Sequence, residues 1–247
     1  MNSFYQLFIA NIKMMYRDKG GLFWNIIIPL IIYSSLSVIP LRRVLGDIQY
    51  KNFLLPGMAA YIIMQGGIYS LAYWMVELRS MGVIKKLIST PIKIPTLVLS
   101  LILSRLSLML VQISLLTLVG SLIFKAPFVG NYFSVFLITI IGGGIFLLIG
   151  LLIANYSTSY QTASPITAAL GLPFTFLGNI FLPITLFPQG VQTLSKFLPI
   201  RYLSDAFRQA YLYEFNFKII ATDILILSIW LIAIFLLTVS VFKLKDE

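Results

Sequence analysis

Side chains able to do acid–base, nucleophilic or metal chemistry are sparse in this chain and stand at the edges of long apolar runs. Among 247 residues there are 18 Lys or Arg, 8 Asp or Glu, no His and no Cys. The commonest general base and metal ligand is therefore missing, and so are disulfides and thiolate metal sites. An intramembrane hydrolase needs a metal-binding His pair, a paired Asp, or a Ser beside an activating base, and the apolar runs hold none of these sets. Phosphate chemistry is no better served: no Gly-x-x-x-x-Gly-Lys-Ser/Thr cradle occurs. The glycines Gly142-Gly-Gly144 lead into Ile-Phe-Leu without a lysine, and read as close helix packing through small residues. An ion-coupled carrier places carboxylates in mid-membrane, and no apolar window contains one. Two groups of side chains remain that could bind or transmit. One is the charged stretch 77–91, with Glu77, Arg79, Gly82, Lys85, Lys86, Leu87, Thr90 and Pro91; the other is the aromatic row Tyr61, Gln65, Tyr69, Tyr73 and Trp74, a possible substrate path.

The elements that position these groups follow from composition. Charged residues make up 11% of the chain and apolar ones 59%, against about 25% and 45 to 50% in soluble domains. Residues 126–195 form a block of 70 without one Asp, Glu, Lys or Arg. A soluble surface cannot be built from such a block. A helix needs about 20 mostly apolar residues to cross the hydrocarbon core, and six charge-free windows of about that length can be marked off. They cover residues 20–41, 53–76, 106–124, 132–154, 165–182 and 224–242. The expected fold is an all-α integral membrane protein of about six transmembrane helices in one domain, 1–247. Arg105 precedes 19 uncharged residues, about 28 Å of helix, and is expected to snorkel at the membrane edge. Between the fifth and sixth windows, Pro183, Pro188 and Pro199 break any continuous helix, so that 183–218 is expected to dip into the interface or re-enter the bilayer.

Net charge is +10, but the basic residues stand singly or in pairs beside apolar runs. That pattern anchors helix ends at anionic lipid headgroups and does not make a nucleic-acid stripe. With an even number of spans, the side of the termini carries nine Lys and Arg, or ten with Arg105, and the opposite side eight. The positive-inside bias leaves orientation open, although the dense loop 77–96 favours termini inside. At 100° per residue, residues 3–17 place Phe4, Leu7, Phe8, Ile12 and Met15 on a broad apolar arc and Gln6, Lys13 and Arg17 opposite. This is the pattern of a helix lying in the membrane plane over 1–19, with Arg17, Asp18 and Lys19 at its interface and Gly20 and Gly21 permitting a sharp bend. A second short amphipathic segment, within 77–93, carries Ile84, Leu87 and Ile88 on one arc and Lys85 and Lys86 on the other.

The stretch Glu77-Leu-Arg-Ser-Met-Gly-Val-Ile-Lys-Lys-Leu-Ile-Ser-Thr-Pro91 resembles the cytoplasmic loop of the ABC type-2 permease family. Three further stretches match in the same order: Tyr16-Arg-Asp-Lys19 leading into Phe23-Trp-Asn and Pro29; Phe53-Leu-Leu-Pro-Gly57; and Gly178-Asn-Ile-Phe-Leu-Pro183 with Phe187-Pro188, Phe197-Leu-Pro-Ile-Arg-Tyr202 and Asp205-Ala-Phe-Arg208. The likeness covers nearly the whole chain. It implies a multi-pass permease of the plasma (cell inner) membrane with cytoplasmic termini, paired with a second permease chain, identical or not, and with two ABC ATPase subunits. ATP and Mg would be bound by those partners and no cofactor by this chain; membrane lipid would surround it and nucleic acid would not be a partner. The resemblance also implies that Glu77, Arg79, Gly82, Lys85, Lys86, Leu87, Thr90 and Pro91 couple to the ATPase, that Gly178, Pro183, Pro188 and Pro199 form an external gate, and that drugs, lipids or polysaccharides are exported.

Overall fold

The computed structural model describes residues 3–39, 49–88, 93–214 and 217–241, and these residues are helical with no strand among them. Helix α1 (Ser3–Arg17) is followed by α2 (Lys19–Ser37), α3 (Tyr50–Ser80), α4 (Val83–Ile88), α5 (Ile94–Leu122), α6 (Tyr132–Tyr156) and α7 (Tyr160–Leu177). A 3₁₀ turn (Ile184–Leu186), α8 (Gln189–Ser195), α9 (Pro199–Leu212) and α10 (Phe217–Val241) complete the described chain.

Helix α3 is the centre of the bundle. Every residue from Phe53 to Met64 is buried, and the helix packs against α2, α5, α6 and α9. Its middle, Gln65–Leu71, is a π-helix, and there it meets α6 at backbone distance. A Cβ on Gly67 would run into the Phe146 backbone, and one on Gly150 into the Gly67 carbonyl. Small residues on both partners let two helices approach this closely, and α10 covers the far side of α6. The glycines expected to bend the chain after α1 have another task. Only Asp18 separates α1 from α2; its carboxylate accepts from the Gly21 amide at 2.9 Å, and a Cβ on Gly21 would overlap that carboxylate. The break is thus one N-cap residue, and Gly20 and Gly21 lie inside the first turn of α2.

Among the described residues five helices are long and apolar enough to cross a membrane: Lys19–Ser37, Tyr50–Ser80, Pro95–Leu122, Tyr132–Tyr156 and Ile220–Val241. The window 165–182 is displaced. Its helix, α7, starts at Tyr160 on a Ser159–Thr162 capping box and stops at Leu177, with Pro165 and Pro173 inside. Polar residues of the cap turn, Gln161, Thr162 and Ser164, replace the apolar ones expected at its far end, which leaves it less apolar than the other five. Its start and the turn that follows it nevertheless touch opposite ends of α3: the Tyr160 hydroxyl donates to Glu77 Oε2 at 3.2 Å, and the Tyr50 hydroxyl donates at 3.0 Å to the carbonyl of Phe181, beyond the end of α7. Residues 40 and 41 of the first window and 242 of the last lie outside the described residues.

Beyond α7 the three expected prolines each open an element. Pro183 precedes the 3₁₀ turn, Pro188 precedes α8, and Pro199 is the buried first residue of α9, where a missing N–H costs nothing. Helix α9 turns Ile200, Leu203, Phe207 and Tyr211 against the bundle. The return is fastened by a polar knot. Asn179, held at φ 56°, donates from Nδ2 to Asp205 Oδ1 at 2.6 Å and accepts at Oδ1 from the Ile184 amide at 3.0 Å. Arg208 donates to Asp205 Oδ1 at 2.8 Å and to the Asn179 carbonyl at 2.7 Å, and its guanidinium lies 3.9 Å from the Phe53 ring centroid. Burial lowers the Arg208 pKa from its ordinary value, and the Asp205 carboxylate works against that shift.

Removing one partner of a partly buried ion pair leaves the other charge poorly answered. Asp205→Ala should therefore lower stability by about 2 kcal/mol, measured as the thermal midpoint of the purified protein in detergent, and Asp205→Ala/Arg208→Met should recover most of that loss. A loss below about 1 kcal/mol for the single variant would show that Arg208 is served by other groups.

Candidate functional site

Two adjoining cavities run along the seam between α2 and α3. The larger of the two, about 270 Å³, is lined by Trp24, Ile28, Pro29, Tyr61, Gln65 and Tyr69; the second, about 210 Å³, by Asp18, Trp74, Glu77, Arg105 and Tyr160; and Gly21, Asn25, Ser70 and Tyr73 border both. They form one furrow. The residues of the expected substrate path, Tyr61, Gln65, Tyr69 and Tyr73, all lie on its wall.

Their alignment depends on the π-helix. At 3.6 residues per turn, each four-residue step along a helix drifts by about 40°, which would spread four such residues around a third of the helix. Five-residue hydrogen-bonded rings hold more residues per turn, so a four-residue step through Gln65–Leu71 falls short of a full turn and cancels drift. The row is locked laterally. Gln65 Nε2 donates to the Tyr61 hydroxyl at 2.5 Å, and the Tyr73 hydroxyl shares a hydrogen bond with Thr167 Oγ1 of α7 at 2.9 Å. The Tyr69 hydroxyl occupies the space where Gly171 of α7 would carry a Cβ. The rings of Tyr69 and Tyr73 meet edge to face, with centroids 6.2 Å apart, and Tyr160 lies 5.5 Å beyond Tyr73.

At the α1 end the furrow becomes charged. Arg105 is only 7% exposed; Nη1 donates to Ser70 Oγ at 2.5 Å, and the guanidinium stands 5.4 Å from the Trp74 ring centroid. It therefore points inward between α3 and α5 and does not snorkel outward, because α5 begins at Ile94 and carries it inside the bundle. Helix α1 packs along the same part of α5, with Asn11 Nδ2 donating to Ser100 Oγ at 3.2 Å. Of the residues expected at the α1 interface, Asp18 lines the furrow and caps α2, while Arg17 and Lys19 are exposed.

The charged stretch divides between two helices. Glu77 and Arg79 lie in the last turns of α3, where Arg79 Nη1 donates to the carbonyls of Ala154 and Ser157, 3.0 Å each. A cation on the carbonyls at the C-terminal end of α6 is favourable both as hydrogen bonding and against the helix dipole. Gly82, at φ 68°, makes the turn into α4, a conformation that glycine adopts without a steric penalty. Lys85, Lys86 and Leu87 are on α4, with Lys86 exposed and its amide bonded to the Gly82 carbonyl at 3.1 Å. Thr90 and Pro91 lie outside the described residues. Gly178, the first of the expected gate residues, ends α7, and its carbonyl accepts from Ser204 Oγ of α9.

Trp74, expected on the path, lines the charged end of the furrow; Ser70, Arg105 and Tyr160 join the site without having been expected there, as do Asn179, Asp205 and Arg208 in the knot. Chemically, the furrow can enclose an apolar body and offer hydroxyls, an amide and carboxylates to its polar end. Among the described residues no group of three His, Cys, Asp or Glu side chains could hold a metal ion.

Residues 2–212 match the family model described as "ABC-2 type transporter". The chain is similar to ABC transporter G family member 20 of Dictyostelium discoideum, 24% identical over 81% of this chain and 28% of that protein. It is also similar to two Escherichia coli proteins. Identity to the probable multidrug ABC transporter permease YbhR is 24%, over 70% of this chain and 47% of that one; identity to the inner membrane transport permease YadH is 29%, over 49% of this chain and 47% of that one. The chain thus spans less than half the length of these relatives. With the family's model matched from the start of α1 to the end of α9, over the furrow, the charged turn and the knot, this chain belongs to the ABC-2 type transporter family.

Proposed function

We propose that the chain is the permease of an ATP-driven exporter that moves an amphipathic drug, lipid or polysaccharide-type substrate out of the cytoplasm or inner leaflet. The observation that carries this reading is that one helix, α3, bears both the aromatic furrow and the charged turn into α4. ATP and Mg belong to two partner ATPase chains, and a second permease chain completes the transporter in the cell inner membrane. Residues 77–93 are the handle: closure of the ATPases pushes α4, the glycine turn passes the push into α3, and Arg79 takes it on to the end of α6. Tilting of α3 then opens the furrow outward. Gly178, Pro183, Pro188 and Pro199 hold the external gate, in a segment 183–218 that re-enters from outside, and α1 lies in the membrane plane on α5.

The whole chain, 1–247, is read as one permease domain with six passes and cytoplasmic termini. Support for the sixth pass comes from α7 and the turn after it: Tyr160 contacts Glu77 and Phe181 contacts Tyr50, at opposite ends of α3. A similar pairing brings the end of α10 back to the α1 side, where Asn155 Nδ2 donates to the Val241 carbonyl at 3.2 Å.

Two experiments test this. The chain has no cysteine, so single cysteines can be labelled from outside the cell with an impermeant maleimide. Gln189→Cys should react and Thr158→Cys should not; equal reactivity of the two sites would mean that α7 does not cross. For coupling, a Cβ on Gly82 meets nothing within 4 Å, so Gly82→Arg/Leu87→Glu should insert and fold, with a backbone strain of about 1 kcal/mol. Transport into inverted vesicles containing the partner ATPase should be abolished; normal transport by this variant would remove the handle assignment.

A further inference from the structure

We infer that the furrow between α2 and α3 selects amphiphiles with an ammonium head group, held between the carboxylates of Asp18 and Glu77 and the rings of Tyr69, Tyr73 and Tyr160. The inference rests on the proposed role of this furrow as the substrate route.

Three observations carry it. The first is the sign of the charge that the furrow can offer. Its lining holds two carboxylates and one guanidinium, but the guanidinium of Arg105 is 7% exposed, bonded to Ser70 and stacked on Trp74. Asp18 and Glu77 are less enclosed. Among the described residues the ion pairs are those of Asp205 with Arg201 and Arg208; neither furrow carboxylate belongs to one, and Arg105 acts on Asp18 only through space, without a contact. Asp18 uses one oxygen to cap α2, and Glu77 accepts a hydrogen bond from Tyr160. Each keeps lone pairs for a ligand.

The second observation is the arrangement of the rings. Tyr69 and Tyr73 are inclined by 73°, and Tyr73 and Tyr160 by 50°. Successive rings set at an angle are not stacked face on face, so π faces stay available beside the carboxylates; such faces attract a cation through the ring quadrupole and suit a quaternary ammonium that cannot donate hydrogen bonds. The third is polarity along the furrow. From the charged end it runs past Tyr73 and Tyr69 to Ile28, Pro29 and Tyr61, so that an ammonium beside Glu77 leaves an attached chain against apolar side chains. An anionic head in the same place would face two carboxylates, with the one guanidinium already engaged.

An ammonium on an apolar chain could be a free organic cation or the head of a choline lipid, and one experiment separates the sources. The full-length chain, purified in an uncharged maltoside detergent, is titrated with four fluorescent probes sharing one alkyl chain. Their heads are trimethylammonium, phosphocholine, carboxylate and an uncharged glycol. By anisotropy, trimethylammonium should bind at least about tenfold more tightly than glycol or carboxylate, the effect of one desolvated cation–π contact together with an opposite charge. Phosphocholine matching trimethylammonium would identify a lipid head as the ligand, and weaker binding a free cation. Glu77→Gln, which still accepts from Tyr160, and Tyr69→Leu should each reduce the ratio of trimethylammonium to glycol affinity. Carboxylate binding as tightly as ammonium, or a preference unchanged in both variants, overturns the inference. Because no ATPase is present, the outcome is separate from that of the transport assays: preserved ammonium preference with no ATP-driven movement would refute the exporter reading alone.

Discussion

Arg79, Arg105 and Arg208 stand where water cannot solvate them freely, and each is answered by atoms of the protein. Arg79 takes two carbonyls at the end of α6, Arg105 a hydroxyl and an indole face of α3, and Arg208 a carboxylate, a carbonyl and a phenyl face. In a bundle with few charges, unpaired polar groups cannot be left to solvent at a depth the bilayer controls. Each arginine therefore ties two or three elements together: α3 to α6, α5 to α3, and the turn after α7 to α9. Arginine suits this task better than lysine, because its planar fork reaches several acceptors and stacks on rings at once.

These ties explain how a chain with a long charge-free block keeps one arrangement. Apolar packing in a membrane gains little from exclusion of water, since lipid tails are as apolar as leucine. Close backbone contact and directed hydrogen bonds must set the register. The α3–α6 contact at Gly67 and Gly150 supplies the first; the arginines and the Asn179–Asp205 bond supply the second. Polar fixation is concentrated at the two ends of the bundle, and the middle is left to shape.

Much of the site was legible in the sequence because it is built from one helix. The spacing of Tyr61, Gln65, Tyr69 and Tyr73 is visible in the sequence, and so are Gly82 and the basic pair after it. The α-helical period alone would have spread the aromatic row, and the π-helix that restores it depends on where α6 presses on Gly67, a tertiary fact with no local signature. Arg105 was visible as the last charge before an uncharged run, but its direction was not: that follows from α5 starting at Ile94, beyond a loop whose length periodicity does not define. The break after α1 falls at Asp18 and not at the glycines expected to bend the chain, which lie inside α2, where Gly21 makes room for the Asp18 cap. For α7, absence of charge marked a span while the capping box at Ser159 set its start, so the helix slid toward polar residues at one end and away from apolar ones at the other.

The placement of the π-helix bears on how motion could pass through α3. Below it, from Ala72 to Ser80, the helix is regular and held by Arg79 and Glu77 to α6 and α7. Above it, from Phe53 to Met64, the helix is wholly buried and fastened to the knot through Phe53 and Arg208. A force arriving through α4 meets two stiff segments joined by a stretch whose wider hydrogen-bonded rings are less favourable than those of an α-helix. Conversion of one π turn to α would rotate the lower segment relative to the upper one without breaking either set of ties. Tyr69 and Ser70 lie within that stretch and Tyr73 just below it, so the same rotation would turn the furrow's ring wall and the hydroxyl that holds Arg105. The joint that is easiest to move is thus the one at which the furrow is lined.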